Sequence, residues 1–180
     1  MRVIGGEYRS RPLKSPPGME TRPTPDRLRE SLFNILSPRI VDAVFVDAYA
    51  GCGSVGIEAI SRGARKAVFI ERNRENVALI QDNLRTLGAG GRAQVMPGGV
   101  KTYLGSVVAD IYFLDPPYER VEEYEVALRL LESRTGALII AQHASREKLA
   151  DEYGALRRTR VVKQGDNCLS FYIVPPCPNS

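Results

Sequence analysis

Four apolar runs, each the length of one strand, are separated by stretches with helical spacing. This alternation limits what the chain can fold into. The runs are "AVFVDAY" (43–49), "KAVFIE" (66–71), "DIYFLD" (110–115) and "GALIIAQ" (136–142). Near-continuous apolar character marks strands covered on both faces. Between the first two, "SVGIEAISRG" reads as a helix with Ser54 as N-cap and Gly63 just past its end. Asn73 is placed to cap the next helix, whose Val77, Ile80, Leu84 and Leu87 share a face before Gly88 stops it. "AQVMP" adds a short third strand, "KTYLGSV" a poor helix and "VEEYEVALRLLES" a better one. Strands that alternate with crossover helices predict an α/β, doubly wound, Rossmann-like sheet that is mostly parallel.

The two ends depart from this rhythm. Residues 2–14, "RVIGGEYRSRPLK", read as a short β-hairpin arm with a turn or bulge at Gly5-Gly6. A Pro-rich loop follows. Thr24-Pro25 then suits an N-cap with proline at the first helical position, and Leu28, Leu32, Ile35 and Leu36 fall on one face. Near the other end, a short helix around 145–152 is predicted to lead into "ALRRTRVVKQ" and "NCLSFYIV", an antiparallel terminal hairpin. The predicted division is an arm and loop over 1–22, one domain over 23–175 and a tail over 176–180.

Composition matters mainly for what it excludes. The chain has 180 residues, 43% of them apolar, as expected for one globular domain. No apolar run approaches the ~18 residues of a membrane span, and "MRVIGGEYRS" has no apolar core of a secretion signal. Cys52, Cys168 and Cys177 lie far apart and form no Cys-x-x-Cys pair. Neither a metal site nor a disulfide framework is expected, and a reducing cytoplasm is the expected setting. Net charge is +4, and its distribution is uneven. Residues 1–40 carry Arg2, Arg9, Arg11, Lys14, Arg22, Arg27, Arg29 and Arg39 against Glu7, Glu20, Asp26 and Glu30, so the whole excess falls there. A basic N-terminal segment points to phosphates and thus to nucleic acid.

Ligands in doubly wound sheets bind at the carboxyl ends of the strands, near the topological switch point. At the first strand end, Gly51-x-Gly53-x-x-Gly56 opens a helix, and Glu71 follows at the end of the second strand. Taken alone this spacing also fits NAD. Asp47 argues against it, because a carboxylate there repels a pyrophosphate and attracts a cation. S-adenosylmethionine (SAM) is cationic at its sulfonium and ammonium groups and has no phosphate. In this reading Asp47 acts on its methionine end, directly or through water, Gly51 and Gly53 allow close backbone approach, and Glu71 accepts both ribose hydroxyls; Ala48, Tyr49 and Arg72 complete the expected cofactor-binding residues here.

At the fourth strand end stands "DPPY", Asp115 to Tyr118. An exocyclic amine is a poor nucleophile, since its lone pair is delocalised, but its two N–H groups are good donors. A site that accepts both and aims the nitrogen at a methyl group catalyses by alignment and by stabilising developing positive charge. Asp115 offers a carboxylate and Pro116 a carbonyl. Pro117 restricts Pro116 to an extended conformation, and Tyr118 offers a face for stacking a base.

These motifs resemble class I SAM-dependent amino-methyltransferases in "DAYAGCGSVGIEA" and "DPPY". "RVIGGEYRSRPL", "TRPTPDRLRESLFNIL" and "GDNCLSFYIV" narrow the resemblance to the small-subunit rRNA methyltransferase D family, over residues 2–174. The resemblance implies a methyltransferase sheet and transfer of a methyl group to guanine N2 of 16S rRNA, at guanine 966, within an assembling or assembled 30S particle. It also implies that the basic residues Arg9, Arg11, Lys14, Arg22, Arg27 and Arg29 meet the RNA. One departure stands out. Related enzymes carry an Asp or Asn after the third strand for the adenine amino group, whereas this chain has Gly99 there. Adenine recognition is then expected from backbone groups of Gly98, Gly99 and Val100.

Other residues are expected to be structural. His143 has no nucleophile motif beside it, and Glu122, Glu123 and Glu125 read as a solvated helix start. Arg157, Arg158 and Arg160 fit a second RNA patch or an exposed hairpin face equally well. DNA adenine or protein glutamine methylation uses similar corners, an NAD oxidoreductase fits the glycine loop alone, and a non-catalytic RNA-binding module fits the charge. The chain shows no stretch for a target-recognition domain or a separate substrate domain, and the complete corner disfavours a non-catalytic module.

Overall fold

A computed structural model describes residues 1–16, 26–117 and 121–176. The alternating segments form one eight-stranded sheet. Helix α1 (Asp26–Leu36) precedes β1 (Val44–Asp47), α2 (Ser54–Ser61), β2 (Lys66–Glu71), α3 (Arg74–Leu87) and β3 (Ala93–Pro97). A single turn of helix, α4 (Val100–Tyr103), leads to β4 (Ile111–Leu114), α5 (Glu122–Leu130) and β5 (Leu138–Ala144). The short β6 (Glu152–Tyr153) and the hairpin β7 (Leu156–Gln164) and β8 (Asn167–Ile173) end the fold. The strand order is β3-β2-β1-β4-β5-β8-β7-β6. β1 to β5 run parallel, and β8, β7 and β6 antiparallel. The predicted mostly parallel sheet with an antiparallel terminal hairpin is therefore present.

Alternation along each strand divides the core into two layers. Phe45, Phe113, Ile140 and Phe171 meet Leu28, Leu32, Phe33 and Leu36 of α1 on one face. Val46, Tyr112, Leu114 and Ile139 meet Tyr124, Ala127 and Leu128 of α5 on the other. The buried tyrosines keep their hydroxyls paired: Tyr112 donates to Val107 O (2.6 Å), Tyr124 to Gln142 O (2.7 Å) and Tyr172 to Ala150 O (2.8 Å). An unpaired buried hydroxyl would be costly. No described helix is long and apolar enough to cross a membrane.

The N-terminal hairpin is small, with one antiparallel bridge from Arg2 to Pro12, and it is docked. Val3, Tyr8 and Leu13 are buried among Ile57, Ile60, Ile80, Leu84 and Leu87 of α2 and α3. Glu7 N donates to Ser61 O (2.8 Å), and a Cβ on Gly6 would lie 1.8 Å from that same oxygen. Gly6 has φ of +77°, so glycine is required there both for its backbone and for the close approach.

Two local expectations need correction. Residues 145–152 do not form a helix; the chain turns there and enters β6. Its carbonyls are taken by the terminal hairpin instead. Arg158 Nη1 reaches Leu149 O, Tyr172 Oη reaches Ala150 O and Arg158 N reaches Asp151 O. Ser54 is the first residue of α2 rather than its cap, a place held by Gly53 with φ of +81° and no side chain to offer. Asn73 and Gly88 do cap α3 as expected. Asn73 accepts from Glu75 N and Asn76 N, and Gly88 adopts the left-handed conformation. The Thr24-Pro25 cap lies outside the described residues.

Candidate functional site

The strand order reverses between β1 and β4, so a crevice at the carboxyl ends of these two strands is the expected ligand site. Asp47 ends β1, and Ala48 N donates to Phe113 O (3.0 Å), holding the two strand ends side by side. Asp115 follows β4 directly.

Glu71, at the end of β2, organises the neighbouring loops. Its Oε2 accepts from Gly51 N (2.7 Å) and its Oε1 from Asn73 N (2.7 Å), while Gly98 N donates to Glu71 O (2.9 Å). The glycine loop and the start of α3 thus converge on one carboxylate, and the Gly98–Val100 segment is held by the same residue's main-chain carbonyl. Each carboxylate oxygen has a second lone pair, so Glu71 retains acceptor capacity for hydroxyls. Gly51 has φ of +54° and nothing within 4 Å of a would-be Cβ; Gly99 is equally open. Gly56 serves packing, since a Cβ there would lie 2.3 Å from Phe69 Cε1. Arg72 is exposed beside this loop.

Asp47 is 2% exposed, and its Oδ2 accepts from Gly56 N (2.9 Å). It therefore supplies, from the strand end, the helix cap that Gly53 has no side chain to make. Burial pushes its carboxyl up to about 7, with Glu71 adding repulsion and the Gly56 N–H opposing it. A carboxyl whose folded pKa exceeds the ordinary 3.8 stabilises the fold at low pH, and that stability is lost as pH rises toward 7. Asp47→Asn keeps an acceptor for Gly56 and removes the charge. The variant should be more stable than the parent by about 1–2 kcal/mol at pH 8 and close to it at pH 4, read from denaturant unfolding at both pH values. An equal difference at both would refute the buried-charge account.

The second half of the site is the corner at β4. Asp115 is half-buried, Pro116 buried and Pro117 exposed; Tyr118 lies outside the described residues. Tyr49, two residues after β1, donates to Glu123 Oε2 (3.1 Å) and ties the glycine loop to α5. Burial and Glu123 hold its phenol well above the ordinary range. Glu123 is thus half-buried and engaged, a correction to its reading as part of a solvated helix start.

The basic residues separate into surface and interior. Arg9, Arg11 and Lys14 are exposed on the docked hairpin, with Arg11 Nη2 on Thr86 O (3.3 Å) and Lys14 paired with Asp82. Arg27 is exposed on α1, and Arg22 lies outside the described residues. Arg29 is a correction. It is fully buried, donates to Arg2 O (2.7 Å) and Asp26 Oδ1 (3.0 Å), and approaches Glu58 Oε2 at 3.9 Å. It is an internal strut with no surface to offer an RNA.

Two working residues escaped sequence reasoning. Glu58 is fully buried and accepts from Ile4 N (2.8 Å), Gly5 N (2.9 Å) and Arg62 Nε (2.8 Å). Asn83 accepts from Lys14 N (2.8 Å) and donates to Cys52 O (3.3 Å), joining hairpin to glycine loop. A lone acid inside "SVGIEAIS" was the available signal for Glu58. His143 is structural, with Nε2 on Ser170 Oγ (2.9 Å) and burial holding its pKa below the ordinary value.

Known proteins resemble this chain over most of its length. Residues 1–173 match the family model described as "Conserved hypothetical protein 95". YlbH of Bacillus subtilis (strain 168), described as a candidate rRNA methyltransferase, is 32% identical over 181 residues, covering 96% of this chain and 98% of that one. Ribosomal RNA small subunit methyltransferase D of Escherichia coli (strain K12) is 43% identical over 122 residues, 67% of this chain and 61% of the relative. The solved structure of yhhF from Escherichia coli, described as a candidate methyltransferase, superposes with a TM-score of 0.84 at 36% identity, covering 97% of this chain and 99% of that one.

Proposed function

This chain belongs to the conserved hypothetical protein 95 family, with the small-subunit rRNA methyltransferase D relatives, and from that membership we propose that it is a SAM-dependent rRNA methyltransferase acting on N2 of a guanine in 16S rRNA, guanine 966. The observation that carries the reading is the pairing of two strand ends at the switch point. One is an acid-lined glycine loop; the other is a rigid Asp-Pro-Pro corner.

The residues present fit SAM. Asp47 and Glu71 put two carboxylates close enough to repel each other, an environment suited to a cation and ribose hydroxyls and hostile to a pyrophosphate. Gly51 and Gly99 leave room where a ligand must approach the backbone. When bound, SAM supplies an electrophilic methyl group. Glu71 holds the ribose hydroxyls, Gly98, Gly99 and Val100 border the adenine, and Asp47, Ala48 and Tyr49 border the methionine end. Glu71→Ala should weaken SAM binding by about 1.5–3 kcal/mol, the range for a hydrogen bond to a charged group. Calorimetry with SAM and S-adenosylhomocysteine checks this, and unchanged affinity would remove Glu71 from the site.

At the corner, Asp115 and Pro116 O accept the two N–H groups of the guanine amine, and Pro117 fixes where that carbonyl points. Tyr118 stacks on the base, which must be unpaired or flipped out to present N2. Transfer would break the methyl–sulfonium bond, its electron pair going to sulfur as S-adenosylhomocysteine leaves, and would build positive charge on the amine nitrogen. The Asp115 carboxylate stabilises that charge, and the proton leaves readily because the alkylated nitrogen is acidic. The exposed Arg9, Arg11, Lys14 and Arg27, with Arg22, contact the RNA backbone. The substrate is an assembling or assembled 30S particle in the cytoplasm.

The test is incubation with labelled SAM and either undermethylated 30S particles or naked 16S rRNA, followed by nucleoside mapping. N2-methylguanosine at one position is expected, with the particle preferred. A methylated adenine, an N1- or C5-methylated base, or labelled protein in place of RNA would overturn the reading.

A further inference from the structure

A groove of about 700 Å³ runs between α1 and β7. Arg27, Glu30, Ser31 and Asn34 of α1 face Arg160 and Gln164 of β7 across it. One end of this groove opens at the carboxyl edge where the crevice lies. α1 feeds β1 through the turn at 37–43, so its first residues lie at the carboxyl end of β1. Consistent with that, Arg29 Nη1 reaches Met1 Sδ (3.5 Å), which lies 3.9 Å from Cys52 Sγ in the glycine loop. Gln164 pairs with Asn167, which pairs with Ala144 at the carboxyl end of β5. The groove therefore descends from the candidate active edge along the sheet.

Its charges are available. Arg157 is bonded to Glu152 and Arg158 to Asp151, so both are neutralised locally. Arg27 and Arg160 have no ion pair or hydrogen bond among the described residues, and both are exposed, with Arg160 over the Phe171 ring at 6.0 Å. Lys163 is exposed on the same strand. Gln164 Oε1 is buried and has no donor among the described residues. β6 pairs only with Leu156 and Arg157, so past Arg157 the side of β7 away from β8 carries no strand among the described residues. Phosphates suit the arginines, and sugar 2′-hydroxyls suit the amides of Asn34 and Gln164.

We propose that the α1–β7 groove holds the ribose–phosphate backbone flanking the target nucleotide, with Arg27 and Arg160 each on a phosphate. This rests on the rRNA reading above. It makes the RNA track two-sided, with the docked hairpin on one side of the crevice and the groove on the other. Glu30 is the one acid in the lining, against the two arginines.

The test compares Arg160→Ala, the double change Arg27→Ala/Arg160→Ala, and Arg39→Ala as a charge-matched control on an exposed residue at the opposite edge of the sheet. Methylation kinetics are measured on 30S particles and on naked 16S rRNA at several salt concentrations, with SAM affinity followed by calorimetry. Arg160→Ala should raise KM about 5-fold and the double change about 20-fold, with kcat at saturation, SAM affinity and the Arg39→Ala variant unchanged. The salt dependence of RNA binding should fall by roughly 0.7–0.9 in log–log slope for each arginine removed. Unaltered KM and slope in the double variant, with the parent active, would overturn the groove and leave the rRNA reading standing. A loss on particles with none on naked rRNA would overturn it too, assigning the β7 edge to a ribosomal protein. A parent that methylates no RNA would sink the rRNA reading itself, and the groove with it.

Discussion

Asp115→Ala should lower single-turnover methylation of the rRNA substrate roughly 10²–10³-fold, the cost of deleting one partner from a preorganised electrostatic site. The expectation follows from where the residue stands. β4 is a central strand between β1 and β5, and Asp115 leaves it at the edge where the strand order reverses. In the proposed corner, alanine would leave only the Pro116 carbonyl to orient the amine, so one N–H would be unpaired and the lone pair no longer aimed. SAM affinity should barely move, because the acids proposed to border SAM are Asp47 and Glu71, at the ends of β1 and β2. Tyr118→Phe should be mild and Tyr118→Ala severe, since stacking needs the ring and not the hydroxyl. A full methylation rate in Asp115→Ala would show that the corner does not hold the amine.

Glu58→Ala should cost about 3–5 kcal/mol of stability, the range for removing one partner of a buried ionic cluster. The carboxylate is fully buried and receives Ile4 N, Gly5 N and Arg62 Nε, with Arg29 Nε at 3.9 Å. Alanine would leave the buried Arg29 without its nearest interior counter-charge; burial already lowers the pKa of that guanidinium, and Glu58 opposes the shift. Two hairpin amides would lose their acceptor at the same time. Residues 3–13 should then exchange their amide hydrogens much faster than in the parent. Denaturant unfolding reads the stability and hydrogen exchange reads the detachment. A midpoint within 0.5 kcal/mol of the parent (about the scatter for a neutral surface change), with the hairpin still protected, would contradict this role.

Glu58 also shows where sequence reasoning stops. Its two hairpin partners, Ile4 and Gly5, lie 54 and 53 residues away in the chain, and nothing near it marks them. Arg29 is the complementary case. Among the arginines of the basic N-terminal segment it looks like its neighbours, but it packs on the inner face of α1 with Leu28, Leu32 and Phe33. Charge counting treats every arginine as surface, whereas a fold places each one separately.

What the sequence by itself determined is short-range. Strand runs such as "KAVFIE", the Asn73 and Gly88 caps of α3, the glycine loop after β1 and the acid-proline corner after β4 all depend on residues within a few positions of each other. Backbone dihedrals, side-chain periodicity and turn chemistry act over that distance. The tertiary structure alone decided the features whose energy comes from distant partners. It turned 145–152 from a predicted helix into a turn and edge strand, because Arg158 and Tyr172 take its carbonyls. It made Asp47 the cap of α2 across nine positions, and it put Arg27 opposite Arg160. Burying a charge or ending a carbonyl's search for a donor is settled by what packs against it, and that neighbour is chosen by the whole chain.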